Sequence, residues 1–126
     1  MKNTLQNIIK KNSGSVLFAY LFGSHAQDSV SRNSDIDIAV FFKDDIEESL
    51  FNKKIDLYLQ LSRALERDDI DLIIMNNFKN IIILHNIVSH GVVVYCQDED
   101  KRLDYEQSII HSAIDFKTQR YMAMGI

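Results

Sequence analysis

The stretch Leu21-Phe22-Gly23-Ser24, followed after ten residues by Asp35-Ile36-Asp37, decides the fold of this chain. The apolar run 16–22 leads into Gly23, and its length and polar flanks predict a central β-strand covered on both faces. A second run, 35–42, begins with alternating acidic and apolar residues and predicts another strand. A functional site is therefore expected where the first strand ends and the second begins.

The two aspartates that open the second strand are placed for shared chemistry. Side chains alternate along a strand, so Asp35 and Asp37 lie on one face, with Cα atoms roughly 6.6 Å apart. Such carboxylates repel each other, and a hard divalent cation such as Mg²⁺ relieves the repulsion because it takes oxygen ligands. Asp71, inside the apolar run 70–75, would complete a site for two ions. Asp69 is the alternative, because it shares a face with Asp71 if that strand begins early.

Gly23 and Ser24 add a phosphate-binding feature to the same end of the expected sheet. Glycine has no Cβ, so the backbone at position 23 can come close to a ligand. The free N–H groups at the start of a following helical turn favour an anion, and the Ser24 hydroxyl can donate to a phosphate oxygen. Ser24 can also cap that turn, a role compatible with phosphate binding. With the acids, these residues predict a nucleoside-triphosphate site.

The remaining chain predicts helices and strands that alternate around these two runs. Amphipathic spacing and capping residues predict helices from Asn3 or Thr4 to 11, at 24–30, from Asp44 or Asp45 to 67, at 79–90 and at 98–121. Two further strands are predicted at 70–75 and 92–96, the last at a sheet edge. The pattern predicts one α/β (α+β) domain over residues 1–126, with a small mixed sheet flanked by helices.

The long C-terminal helix carries a broad apolar face made of two stripes. One consists of Leu103, Ile110, Ile114 and Tyr121, and the adjacent one of Tyr105, Ile109 and Phe116. Two interpretations stay open: two-sided packing within the fold, or a surface for a partner or a second copy of the chain.

Composition limits the classes of function. The net charge of -4 argues against a dedicated nucleic-acid binder, whose affinity comes from neutralising phosphates with Lys and Arg. The single cysteine, Cys96, permits no intrachain disulfide, which fits a cytoplasmic location, and we expect it to be buried. The N-terminus does not read as a signal peptide, and the apolar runs are too short to span a membrane.

Gly23-Ser24, ten residues and then Asp35-x-Asp37 resembles the GSX10DXD signature of the minimal nucleotidyltransferases in the DNA polymerase β superfamily. Asp71 matches the third acid of that family, and the resemblance covers residues 16–95. It implies a mixed sheet with helices on one side and Mg²⁺-dependent transfer of a nucleotidyl group from a nucleoside triphosphate. It also implies that Asp35 and Asp37 hold two Mg²⁺ ions, that Asp71 holds the catalytic ion and helps to activate the attacking hydroxyl, and that Gly23 and Ser24 bind the nucleotide.

Chains this short resemble the antitoxins of HEPN/MNT toxin–antitoxin pairs. In that family the enzyme transfers AMP from ATP to a tyrosine of a HEPN ribonuclease toxin and so silences it. The resemblance implies the same reaction here, with ATP as substrate and a HEPN toxin as partner. Two alternatives stay open: a non-catalytic antitoxin that neutralises by binding, and nucleotidyl transfer to a small molecule such as an aminoglycoside, for which a homodimer would supply the pocket.

Two residues depart from the family pattern. Many relatives continue the motif as Gly-Ser-x-Ala-Arg-Gly, whereas this chain has Gln27 and Asp28 at the last two positions. Gln27 cannot give a phosphate the positive charge that an arginine gives, and Asp28 adds a negative charge. The phosphate half of the motif is therefore weaker than in those relatives, while the metal ligands are unchanged.

Overall fold

The computed structural model describes residues 2–23, 35–43 and 46–123, the last three of these by their backbone alone. The elements are α1 (Lys2–Lys11), β1 (Val16–Phe22), β2 (Ile36–Phe42), α2 (Glu47–Leu65), β3 (Ile70–Ile74), α3 (Ile81–His90), β4 (Val92–Cys96) and α4 (Glu99–Ala123). The helix predicted at 24–30 and the loop after it lie outside the described residues.

The strands form one mixed sheet in the order β3-β2-β1-β4. β1 is antiparallel to both of its neighbours, and β2 is parallel to β3. The expected mixed sheet, the central position of β1 and the edge position of β4 are therefore confirmed. Because parallel neighbours need a long connection, α2 crosses over from β2 to β3.

Helices cover both faces of the sheet, so the expectation of helices on one side is wrong. The first face is covered by residues of α1 and α2, among them Leu5, Ile9, Leu57 and Leu61. The second face is covered by residues of α3 and α4, among them Leu84, Ile87 and Ile109. The reason lies in β1, which is buried from Val16 to Leu21 and so needs cover on both faces.

The starts of two helices differ from the predicted ones. α1 begins at Lys2, so Asn3 and Thr4 lie inside the helix and do not cap it. The residue that precedes α2 is Ile46, whose backbone is extended and whose side chain cannot cap. Asp44 and Asp45, the predicted caps of α2, lie outside the described residues. The start of α1 is therefore not fixed by the side-chain cap that the sequence suggested.

The apolar face of α4 is only partly used within the chain. Ile109 is buried, and the half-buried Tyr105 packs against the second core. In contrast, Leu103, Ile110 and Ile114 are 39–55% exposed, and we call these three residues the outer stripe of α4. Two-sided packing therefore does not account for the outer stripe; the side chain of Tyr121, its fourth predicted member, lies outside the described residues.

Two smaller expectations concern a thiol and a membrane. Cys96 is half-buried and packs against the second core, so the expected burial of this thiol is partial. It lies on β4, at the edge of the sheet that the described residues form. No helix in the described part of the chain has the length and apolar character needed to cross a membrane.

Candidate active site

Strand register brings three of the predicted site residues to one end of the sheet. Phe22, the last residue of β1, is paired with Asp37 of β2, and Asp37 is in register with Asp71 of β3. Register partners on parallel strands point to the same face. Asp37 and Asp71 therefore share the face that α3 and α4 cover farther along the strands, and Asp35 directly precedes β2 at the same end of the sheet.

Gly23 stands directly against Asp37. Its φ of +72° lies in the left-handed region, which a residue with a Cβ rarely adopts. A Cβ at this position would overlap the Asp37 carboxylate oxygen Oδ2 and lie 3.2 Å from its Cγ. Position 23 therefore needs glycine, both for its backbone conformation and because the Asp37 carboxylate occupies the space of a Cβ. The Gly-Ser half and the acidic half of the motif meet at this contact.

The acids differ in exposure. Asp35 and Asp71 are exposed, whereas Asp37 is half-buried. Among the described residues, the Asp71 carboxylate has no hydrogen-bond or ion-pair partner. An exposed carboxylate keeps its charge at little cost, and free oxygens are what a cation or an acceptor hydroxyl requires. Asp71 thus lies beside Asp37 with its oxygens available to a ligand.

Asp69, the alternative third acid, is held in an ion pair. Arg67 donates from Nε to Oδ1 of Asp69 at 2.8 Å and from Nη2 to Oδ2 at 2.6 Å. The pKa of Arg67 is raised, chiefly by the hydrogen bond to Asp69 and also by the negative charges of Asp69 and Asp35. Sequence reasoning missed Arg67, although an arginine two residues before an aspartate at a strand start was a visible signal. The geometry thus distinguishes Asp69 from Asp71.

The described residues do not form a ready-made metal cage. No three His, Cys, Asp or Glu side chains within 2–23, 35–43 and 46–120 are arranged to hold an ion. Mg²⁺, however, is commonly bound by one or two carboxylates and completed by substrate phosphates. Asp37, with Asp35 or Asp71 beside it, supplies that number of oxygen ligands. These residues therefore fit a cation that the substrate helps to hold.

Three other residues that the sequence linked to phosphate binding, Ser24, Gln27 and Asp28, lie outside the described residues. Of the predicted nucleotide-binding pair, only Gly23 belongs to the described part of the chain. The catalytic, metal-binding and nucleotide-binding roles of all these residues stay predictions.

Residues 3–100 of the chain match the family described as polymerase beta nucleotidyltransferase. This range contains the Gly-Ser motif and all three predicted acids. Among curated proteins, the protein adenylyltransferase MntA of Shewanella oneidensis is 28% identical over 102 residues, which are 81% of this chain and 70% of that protein.

Solved structures of toxin–antitoxin complexes have the same fold. One with AMP-PNP has a TM-score of 0.78 and 25% identity, and covers 98% of this chain and 95% of its own. An MntA–HpeT complex with two aspartate-to-glutamate substitutions has a TM-score of 0.79 and 23% identity. The match covers 99% of this chain and 96% of that chain. The structure of the tri-AMPylated Shewanella oneidensis HEPN toxin in complex with its MNT antitoxin has a TM-score of 0.71 and 22% identity. The match covers 99% of this chain and 97% of that chain. With the family match over most of its length, this chain belongs to the polymerase beta nucleotidyltransferase family.

Proposed function

We propose that this protein is a Mg²⁺-dependent protein adenylyltransferase that acts as an antitoxin. It transfers AMP from ATP to a tyrosine of a HEPN-family toxin and thereby silences the toxin. The observation that carries the proposal is the meeting of Gly23, Asp37 and Asp71 at one end of the sheet. Family membership supplies the reaction type, and the names of the similar adenylyltransferase and complexes supply the acceptor.

The chemistry of the proposed transfer assigns a task to each residue. The tyrosine oxygen forms a bond to the α-phosphorus of ATP, the bond from that phosphorus to the α,β-bridging oxygen breaks, and pyrophosphate leaves. Asp71, whose carboxylate is exposed beside Asp37, takes the phenol proton. Gly23 lets the backbone approach the phosphates, and Ser24 donates a hydrogen bond to them.

Asp35, Asp37 and Asp71 are also the residues that would hold two Mg²⁺ ions. Bound there, the ions would neutralise negative charge on the phosphates and on the attacking and leaving oxygens. The exposed position of Asp35 and Asp71 leaves room for substrate phosphates to complete the ligand set. A cytoplasmic location is part of the proposal, because both ATP and a reduced Cys96 fit it.

The test is to incubate the protein with α-labelled ATP, Mg²⁺ and a purified HEPN-family protein from the same genome. We expect label on a tyrosine of the HEPN protein, loss of labelling with EDTA, and a loss of at least about a thousandfold in Asp35→Asn/Asp37→Asn. Asp56→Asn, which removes an exposed acid from α2, is the matched control and should label at the wild-type rate. No labelling by folded wild-type protein, or undiminished labelling by the double variant, would refute the proposal.

A second candidate function is neutralisation of the toxin by binding alone. The observation that favours it is the exposed outer stripe of α4, an apolar surface that nothing in the described chain covers. The two candidates separate in cells that express the HEPN protein. If the folded Asp35→Asn/Asp37→Asn variant restores growth as fully as wild type, binding suffices; if growth is not restored, transfer is required.

A further inference from the structure

The acidic end of the sheet carries a fourth aspartate that the proposed transfer does not use. The backbone C=O of Asp69 accepts a hydrogen bond from the N–H of Ile36 at 3.0 Å. Ile36 is in register with Ile70, so Asp35 and Asp69, which directly precede these two strands, lie at the same end of the sheet. One residue into the strands, Asp37 stands beside Asp71. This end of the sheet therefore carries four acids, of which one pair is in register within the strands.

Two pairs of acids create an ambiguity for a cation. Asp37 and Asp71 form one pair of carboxylates, and Asp35 and Asp69, at the starts of the same two strands, offer a second pair. Either pair could supply the two oxygen ligands that Mg²⁺ commonly takes from protein. They are two residues apart along the strands, which is roughly 6–7 Å. Only the pair of Asp37 and Asp71 lies at Gly23, where the phosphates are proposed to bind. An ion held by Asp35 and Asp69 would be too far away for the transfer.

Arg67 removes this ambiguity by occupying Asp69. Its guanidinium contacts both carboxylate oxygens of Asp69 at 2.8 and 2.6 Å, a planar two-point contact that lysine cannot make. The Asp69 carboxylate thus has a fixed positive charge in place of a cation.

The position of Arg67 is set by the way α2 ends. Glu66 adopts the left-handed conformation, with φ 54° and ψ 39°, and turns the chain out of the helix. The N–H of Arg67 then donates to the C=O of Ser62 at 3.2 Å, and the Ser62 hydroxyl donates to the C=O of Arg67 at 2.7 Å. Because the backbone of Arg67 is held on both sides, its side chain starts from a fixed point beside Asp69.

We propose that Arg67 is a positioning residue that keeps Asp69 out of the metal site and so confines the cation to the end of the sheet at Gly23. The inference rests on the proposed function and names a residue that sets where the same site binds its ion. Asp35 then remains a ligand together with Asp37 and Asp71, because Asp69 no longer competes for a cation beside it.

The test measures binding of Mn²⁺ to the nucleotide-free protein by electron paramagnetic resonance, alongside the rate of labelled-AMP transfer. In Arg67→Gln, a positive charge disappears and Asp69 becomes a ligand, so we expect Mn²⁺ to bind about tenfold more tightly. Because the ion is displaced from Gly23, kcat for transfer should fall about tenfold while KM for the acceptor protein stays the same. Arg63→Gln, which removes an exposed arginine from the last turn of α2, is the matched control and should change neither quantity.

Two further variants make the sign of the effect decisive. Asp69→Asn releases Arg67 toward Asp35, so Mn²⁺ should bind several-fold more weakly, opposite to the effect of Arg67→Gln. Arg67→Gln/Asp69→Asn removes both the cation and the competing acid, and should recover Mn²⁺ affinity and kcat to within about threefold of wild type. An ion pair that only stabilised the fold would give no such rescue.

The outcomes separate this inference from the proposed function. The inference is overturned if wild type binds Mn²⁺ and transfers AMP but Arg67→Gln does not bind Mn²⁺ more tightly, or if the double variant is no better than Arg67→Gln. A folded wild-type protein that neither binds Mn²⁺ nor transfers AMP overturns the proposed function itself. Circular dichroism of each variant establishes that it is folded before these measurements.

Discussion

The second face of the sheet carries carboxylates in two places, and the protein treats them differently. Under α4, Glu106 accepts a hydrogen bond from the Tyr20 hydroxyl at 2.5 Å and another from Nη1 of Arg102 at 2.8 Å. Arg102 also pairs with Glu99, so the group ties the first turns of α4 to the centre of the sheet. At the end of the strands, Asp71 has no comparable partner among the described residues.

The difference shows how a carboxylate's surroundings indicate its use. Glu106 is half-buried and would be costly without donors, so hydrogen bonds from Tyr20 and Arg102 offset the loss of water. Asp71 is exposed, and its oxygens are left to whatever binds there. We infer that the carboxylate under α4 serves the stability of the fold, whereas the one at the strand end serves the proposed transfer. Each variant below tests one side of that comparison.

The largest effect is expected for Asp71→Asn. The rate of AMP transfer should fall about 10²–10³-fold, because a ligand and proton acceptor is lost. The free energy of unfolding should change by less than about 0.5 kcal/mol, because the side chain is exposed. The measurements are the initial rate of labelling and urea-induced unfolding.

Glu106→Gln is the matched variant at the other place on the sheet. It weakens charge-assisted hydrogen bonds, so the free energy of unfolding should fall by about 1–3 kcal/mol, while the transfer rate stays within about threefold of wild type. The comparison would be wrong if Asp71→Asn lost stability and kept activity, or if Glu106→Gln kept stability and lost activity.

An intermediate effect is expected for Gly23→Ala. The added Cβ meets the Asp37 carboxylate in a left-handed backbone conformation, so either the strand end or the carboxylate must move. We expect a loss of about 1–3 kcal/mol in unfolding free energy and a fall of about 10–100-fold in transfer rate. The same two assays measure both quantities.

Gly14→Ala is the control for this substitution. A Cβ at Gly14 would meet nothing within 4 Å, and its φ is not in the left-handed region. The change should alter stability by less than about 0.5 kcal/mol and leave transfer unaffected. If Gly23→Ala changed stability and transfer rate as little as Gly14→Ala, the close approach of Gly23 to Asp37 would not matter for stability or for transfer.

How far the site could be predicted depends on which contacts are local in the sequence. Asp35 and Asp37 flank the first residue of β2, a placement that their spacing was enough to predict. The register of Asp37 with Asp71 could not be predicted from spacing, because the pairing of strands joined by a helical crossover is set by packing over the whole sheet. The ion pair of Arg67 was only partly visible in the sequence: the spacing of Arg67 and Asp69 could be seen, but the turn that places Arg67 depends on a left-handed residue, Glu66, where no glycine signals one.

The fold shows the same division. The bounds of β1 and β4 agree with the predicted 16–22 and 92–96, because each is a short apolar run with polar flanks. α3 begins at Ile81 and not at 79, because the Asn80 side chain accepts hydrogen bonds from two N–H groups of its first turn. Asparagine is a recognised cap, so that signal was present in the sequence. Coverage of β1 on both faces was also predicted from its apolar run, but the helices that supply the second cover were not, because that depends on where α3 and α4 pack.

The last effect concerns stability at alkaline pH. Burial and the hydrogen bond to Glu106 raise the pKa of Tyr20 above its ordinary value, and burial raises the pKa of Tyr105. In the unfolded chain these phenols ionise near pH 10, so the folded state binds more protons above that pH. Stability is therefore fully present below about pH 10 and falls as the pH rises further, by about 1.4 kcal/mol per pH unit for each tyrosine.

Urea unfolding from pH 8 to 11 checks this dependence. Tyr20→Phe should be about 1 kcal/mol less stable at pH 8, because a buried hydrogen bond is lost, but should lose stability less steeply above pH 10. Equal slopes for wild type and Tyr20→Phe would show that this phenol does not couple to unfolding.

The order of the strands has a consequence for synthesis of the chain. The three strands that bring Gly23, Asp37 and Asp71 together are complete once Ile74 has been made. The helices that cover their second face, and the edge strand β4, come only afterwards. On the ribosome, Tyr20 of β1 therefore lacks its hydrogen-bond acceptor Glu106 until α4 emerges. A chain interrupted before that point would present a formed acidic end on a sheet whose second face still exposes apolar side chains.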